Sequence, residues 1–246
     1  MPLEGKNDTP EVSKVEEYDT ERDAWTEKKS MPTGRFRLAT AAVGGKIYVM
    51  GGTPNNFQAL ATVEEYDTKT DSWTKKADMP TARMGLAAVV VGGKIYAIGG
   101  AADFFFPTGA VEVYNSATDS WEQKPDMANP RWNLAAAAVL SKIYVFGGAV
   151  DISHQKATDL VEEYDTKTDT WIPKAKMRRD FHGHGAAFVN SGKIYTIGGQ
   201  KWKGKGGFQN LAEGPTDWTM YRQWLNMTPR KTDGKSRKIC QLHGRL

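Results

Sequence analysis

Short apolar runs of strand length alternate with turn residues along most of the chain, and no stretch keeps a 3.6-residue period. Residues 86–91, LAAVVV, are apolar without a break, the pattern of a buried inner strand. After two glycines, residues 94–98, KIYAI, form a second strand. Residues 111–114, VEVY, alternate apolar and polar positions as a half-buried strand does. The following NSATDS is turn chemistry, and Trp121 then opens a fourth, outer strand. The pattern predicts a unit of four short strands.

That unit recurs. GGKIYVMGG at 44–52, GGKIYAIGG at 92–100, SKIYVFGG at 141–148 and SGKIYTIGG at 191–199 align. The closing pairs Gly51-Gly52, Gly99-Gly100, Gly147-Gly148 and Gly198-Gly199 are separated by 48, 48 and 51 residues. In phase with them run VEEYDTERDAW, VEEYDTKTDSW, VEVYNSATDSW and VEEYDTKTDTW, ending at Trp25, Trp73, Trp121 and Trp171. A third motif follows each tryptophan: MPTGR at 31–35, MPTAR at 79–83 and MANPR at 127–131. The fourth copy, MRRDFH at 177–182, departs from it.

These residue types have physical roles. Adjacent glycines after a buried strand permit positive φ and close backbone approach near an axis. The strand tyrosines Tyr48, Tyr96, Tyr144 and Tyr195, the motif tyrosines Tyr66, Tyr114 and Tyr164, and the tryptophans carry more apolar area than one four-stranded sheet can bury. Each unit must therefore stack on a neighbour, which is the logic of an all-β propeller. The Gly-Gly pair, the E-x-Y-D and the Trp in phase at about 48 residues resemble kelch repeats over residues 12–200. The resemblance implies a kelch-type propeller whose loops bind a partner, most often another protein, with a minority of relatives acting on sugars, such as sialic-acid mutarotating propellers.

The organisation expected is a polar N-terminal segment at 1–13, kelch repeats at 14–200 and a divergent basic tail at 201–246. Three units are complete. Residues 15–27 carry only the last two strands of a unit, and residues 185–199 only the first two. Pairing of these halves would close a four-bladed ring; otherwise the chain is a truncated larger propeller. The tail itself has a second reading. Reading residues 224–228, Trp-Leu-Asn-Met-Thr, with each codon begun on the last base of the frame used here gives Val, Glu or Lys, Tyr or His, and Asp. With ordinary codon choices the whole stretch becomes VEYDTPKNRWKVAKNMPTAR, the missing half of a kelch unit. Its Asp-to-Trp, Trp-to-Met and Met-to-Arg spacings match Asp67, Trp73, Met79 and Arg83. The expectation is a frame shift between Gly199 and Trp218, testable on the nucleotide sequence.

The charge supports treating the tail apart. The chain carries 33 Lys and Arg against 29 Asp and Glu; 10 and 3 of these follow residue 200, leaving 23 and 26 in the body. The excess basicity sits in the tail, so a nucleic-acid partner is not expected. Gly234-Lys235-Ser236 mimics the end of a phosphate loop, but Pro229 stands where the upstream glycine belongs.

The candidate binding residues are Arg35, Arg83 and Arg131, in loops entering inner strands. They could form a guanidinium ring that grips carboxylates, or tie each Arg to the next blade. Phe104, Phe105 and Phe106 beside Pro107 could anchor a partner or fill the gap between blades, and Trp132 raises the same choice. His182 and His184 lie two apart and would share a strand face, but no third metal ligand accompanies them. Cys240, the sole cysteine, excludes a disulfide framework. Its place in the tail also speaks against the Cys–Tyr copper chemistry of some kelch-fold oxidases. Glu-Glu pairs at 16–17, 64–65 and 162–163 recur with the fold and read as structural. No cofactor or metal is expected. With no apolar leader and no apolar run of the roughly 18–20 residues a membrane span needs, the cytoplasm is the default compartment. The function expected is a non-catalytic interaction module for a protein or peptide, an acidic one if the arginines serve it.

Overall fold

The computed structural model describes residues 13–55, 58–103, 106–151, 156–189, 192–203 and 207–210. The tail from 211 onward, with the frame-shift reading, lies outside the described residues, as do Phe104 and Phe105.

Three four-stranded antiparallel sheets follow one another along the chain. The first comprises β3 (Ala39–Val43), β4 (Lys46–Met50), β5 (Val63–Asp67) and β6 (Ser72–Lys76). The second comprises β7 (Ala87–Val91), β8 (Lys94–Ile98), β9 (Val111–Asn115) and β10 (Ser120–Lys124). The third comprises β11 (Ala135–Val139), β12 (Lys142–Phe146), β13 (Val161–Asp165) and β14 (Thr170–Pro173). Ahead of them, β1 (Val15–Asp19) and β2 (Ala24–Lys28) form a two-stranded sheet. After them, β15 (His182–Val189), β16 (Lys193–Lys203) and β17 (Gly207–Asn210) form a three-stranded one. The two half-units do not pair with each other, and β16 runs past residue 200, where the tail was expected to begin. The result is a kelch-type propeller of about four blades, with strands in meander order.

The inner strands β3, β7, β11 and β15 stand side by side in sequence order. The apolar clusters lie between blades. Tyr48 and Met50 of β4 pack with Leu86, Ile95, Ala97 and Tyr114 of the next blade. Tyr96 and Ile98 of β8 repeat this with Leu134, Ile143, Val145 and Tyr164. The ring centroids of Tyr48 and Tyr114 are 5.6 Å apart, those of Tyr96 and Tyr164 6.3 Å. The apolar run of β7 is only half-buried, because its strand borders the axis rather than a filled core.

The outer edge is tied by a Tyr–Asp–Trp set. The Tyr66 hydroxyl donates to Asp71 at 2.6 Å, and Asp71 also accepts the Lys29 amide at 2.9 Å. The Trp73 indole N–H returns to the Lys29 carbonyl at 2.8 Å. Tyr114, Asp119, Ala77 and Trp121 repeat the set one blade on. At the third, Pro125 has no N–H to give, and the Lys124 ammonium bridges to Asp169 at 3.0 Å instead. Each of these aspartates sits in the left-handed region, with φ of 48° to 55°, a conformation Asp tolerates better than most residues.

Candidate functional site

Loops entering the inner strands and loops leaving the Gly pairs meet on one face of the blades, joined by bridges such as Phe36 to Thr53 and Trp132 to Ala149. The Gly pairs permit the meeting. The amide of Gly52 donates to the Arg83 carbonyl at 2.8 Å, and that of Gly100 to the Arg131 carbonyl at 3.0 Å. A methyl group on Gly51 would stand 2.4 Å from the Arg83 carbonyl oxygen, so only glycine fits. Gly99 and Gly147 are similarly pressed by Arg131 and Phe181, while a Cβ on Gly198 would meet nothing.

The three arginines expected at the mouth point into their own blades. Arg35 donates to Glu64 at 2.7 Å and to the Thr62 carbonyl at 2.8 Å. Arg83 donates to Glu112 at 2.6 Å and to the carbonyls of Gly99 and Ala110 at 2.9 and 2.8 Å. Arg131 pairs with Glu162 and reaches the Asn129 carbonyl at 3.2 Å. All three are buried, and burial pulls each guanidinium below its ordinary pKa while the glutamate pushes it back. The partner-gripping ring is therefore corrected: these side chains are spent on buried acids and on carbonyls that a bent loop would leave unpaired. They hold the blade they introduce, not the next one.

Trp132 is also buried, among Met84, Ala101 and Ala149, with its indole N–H on the Asp151 carbonyl at 3.1 Å. It serves packing rather than contact with a partner. His182 is buried as well. Desolvation lowers its pKa, with the Asp151 carboxylate opposing and the Arg37 charge assisting. Phe106 is the described member of the aromatic triplet, and it is 59% exposed.

Two features escaped the sequence reading. The first is an axial ladder. The Gly85 amide donates to the Arg37 carbonyl at 2.8 Å, Asn133 to Gly85 at 2.7 Å and Gly183 to Asn133 at 2.7 Å. All four residues have positive φ, between 50° and 65°. The ladder sets the Arg37 guanidinium 5.2 Å above the Trp132 ring, a cation–π contact. Its signal was available: two residues after each arginine, Arg37, Gly85 and Asn133 vary between the constant arginine and the constant Leu38, Leu86 and Leu134. The second is a cleft of about 540 Å³ lined by Pro107, Asn129, Pro130, Lys156, Thr158 and Leu160. It lies between loops that differ most in sequence from blade to blade, which no repeat pattern reveals. Among the described residues, no group of His, Cys, Asp or Glu could hold a metal ion, and no helix is long and apolar enough to cross a membrane.

Repeated four-stranded blades, a Gly-pair junction and a buried Arg–Glu tie in each define a kelch-type β-propeller. The chain belongs to the Attractin/LZTR1 beta-propeller family, whose pattern matches residues 5–211. Over 41 residues it is 51% identical to alpha-scruin of Limulus polyphemus, 17% of this chain and 4% of that protein. Over 88 residues it is 30% identical to Kelch-like protein 34 of Homo sapiens, 34% of this chain and 13% of that one. The matches thus span small parts of both relatives. The solved structure of YjhT superposes with a TM-score of 0.69 at 21% identity, covering 78% of this chain and 68% of that one, a likeness of fold.

Proposed function

We propose that the chain is a non-catalytic binding module that takes a protein or peptide on its loop face. The observation that carries this reading is the cleft between variable loops, open beside the exposed Phe106 and bearing Lys156. An exposed aromatic next to a concave surface is the arrangement of an interface anchor. Lys156 favours a partner with a carboxylate at that point, which carries over the acidic preference first assigned to the arginines. Similarity to a kelch-like protein supports the class. The test is selection of displayed random peptides on the purified chain. Enriched peptides should lose about tenfold or more in affinity on Phe106→Ala, with a smaller loss on Lys156→Glu. No enrichment, or peptides indifferent to both changes, contradicts the reading.

A second reading is an enzyme acting on acidic sugars. The grouping of Arg37, Asn133, His182 and Asp151 about the axial ladder favours it. A thermal-shift screen of carbohydrates separates the two, since a peptide module gains no stability from a monosaccharide.

A further inference from the structure

The chain holds two half-blades that lack each other. Among the described residues, β1 pairs with β2 alone. Residues 193–197 of β16 pair with β15 alone, because β17 takes Gln200–Lys203. In the first complete blade the second strand meets the third in one register: Lys46 opposite Asp67, Tyr48 opposite Glu65, Met50 opposite Val63. The third blade repeats it, with Lys142 opposite Asp165 and Phe146 opposite Val161. β16 carries the same K-I-Y sequence and β1 the same V-E-E-Y-D.

We propose that the hairpin β1–β2 of one copy of this chain completes the fourth blade of a second copy, its β1 adding to the edge of β16 at Lys193–Ile197. The shared register sets Lys193 opposite Asp19, Tyr195 opposite Glu17 and Ile197 opposite Val15.

Charge fits. Lys46 lies 2.7 Å from Glu65 and 3.3 Å from Asp67, and Lys142 pairs with Glu163; Lys193, Glu17 and Asp19 are their counterparts. The buried glutamate of the blade also finds a partner. In the first and third blades Thr33 and Asn129 donate to Glu64 and Glu162 at 2.8 and 3.2 Å, beside Arg35 and Arg131. In the fourth blade Phe181 replaces that arginine, while Arg179 stands in the place of Thr33 and Asn129. The positive charge has moved by two positions and stays in the loop that enters the blade.

The apolar surfaces fit in the same way. Tyr114 covers Tyr48 and Tyr164 covers Tyr96 across blade junctions; Tyr18 would cover Tyr144. Trp25, exposed in the single chain, would donate to the Ala175 carbonyl as Trp73 does to Lys29 and Trp121 to Ala77. Edge strands left free recruit such pairing.

A second copy is favoured because, among the described residues, the chain's own β1–β2 hairpin forms no ladder with β15 or β16. The hairpin's exit strand is tied to the first complete blade through Lys29, Asp71 and Trp73. Reciprocal exchange between two copies gives each a completed fourth blade through a symmetric pair of junctions.

The test is sedimentation equilibrium of the full chain over a wide concentration range. Reversible dimerisation is expected. Lys193→Glu and Glu17→Lys should each weaken it about tenfold or more, since each puts like charges face to face. An equimolar mixture of the two variants should restore it, because one junction then has both charges exchanged and the other has neither. A monomer at all concentrations, or a dimer indifferent to both variants and to their mixture, overturns the proposal. Both positions lie at the surface of the single chain, so unchanged melting of each variant shows that folding is not what was lost.

Discussion

The same motif is buried in the middle of the molecule and exposed at its flanks. Tyr114 in VEVYN is fully buried, whereas Tyr18 in VEEYD is 43% exposed. Ile98 ends KIYAI with no exposed surface, whereas Ile197 ends KIYTI with 68%. The local strands are alike: β1 and β2 hold the register of β5 and β6, with Tyr18 opposite Trp25 as Tyr66 is opposite Trp73. What differs is the neighbour. A kelch unit specifies its own hairpins, while burial, and with it most of the stability, is a property of the junction. Substitutions at matched positions should therefore have unmatched effects.

The largest difference is expected at the buried ion pair. Glu112→Ala leaves Arg83 buried without its partner and should cost about 3–5 kcal/mol, while the matched Glu16→Ala, on the exposed hairpin, should cost within about 0.5 kcal/mol. Denaturant titration of each variant reads both. A double change, Arg83→Met with Glu112→Leu, should be milder than Glu112→Ala alone, because no charge is then stranded.

Next comes the apolar junction. Ile98→Ala should cost about 2–5 kcal/mol through the cavity it opens between the second and third blades. Ile197→Ala should fall within about 0.5 kcal/mol in the single chain. Equal losses would place β16 in a packed core.

The third contrast is set by pH. His184 occupies the position held by Leu38, Leu86 and Leu134 in the complete blades, packed near Phe181 and Gly147. Burial, aided by the nearby His182, pulls its pKa down to about 4. The unfolded chain takes up the proton near pH 6.5 and the folded chain only near 4. Stability should therefore fall as pH drops through that window, by about 2 kcal/mol between pH 7 and 5, and level off below it. Melting curves of wild type and His184→Leu should diverge as the pH is lowered, the variant holding its stability. His182, also lowered by burial, adds to the slope in the same direction.

The smallest contrast concerns the outer tie. Asp119→Ala removes the acceptor of the Tyr114 hydroxyl and of the Ala77 amide, a loss of about 1–2 kcal/mol. Asp23→Ala, whose hydrogen bond from Tyr18 is exposed, should lose less, keeping only the strain of alanine at the left-handed φ that both positions share, 51° here and 49° at Asp119.

The fold was legible because its physics is local and repeated. Gly pairs, strand tyrosines and the Asp-to-Trp spacing each recur in phase, so strand positions followed almost residue by residue. The direction in which Arg35, Arg83 and Arg131 point was not legible. A loop arginine followed by a strand can turn outward to a partner or inward to a glutamate 29 or 31 positions on. The choice is settled only when the second and third strands bring that acid and the free carbonyls alongside. The loop cleft stayed hidden for the opposite reason: it is made by residues that do not repeat. His184 was noticed for its spacing from His182, although its meaning lies in replacing a junction leucine.

The central claim is that each blade is held by its neighbour rather than by its own sequence. Hydrogen exchange measured strand by strand, at a concentration low enough to keep the chain monomeric, tests it most directly. Amides of β8 and β9 should be protected together and far longer than those of β1 and of β16 at Lys193–Ile197. Equal protection of the matched strands would contradict the claim, showing that the kelch hairpins stand without a neighbour.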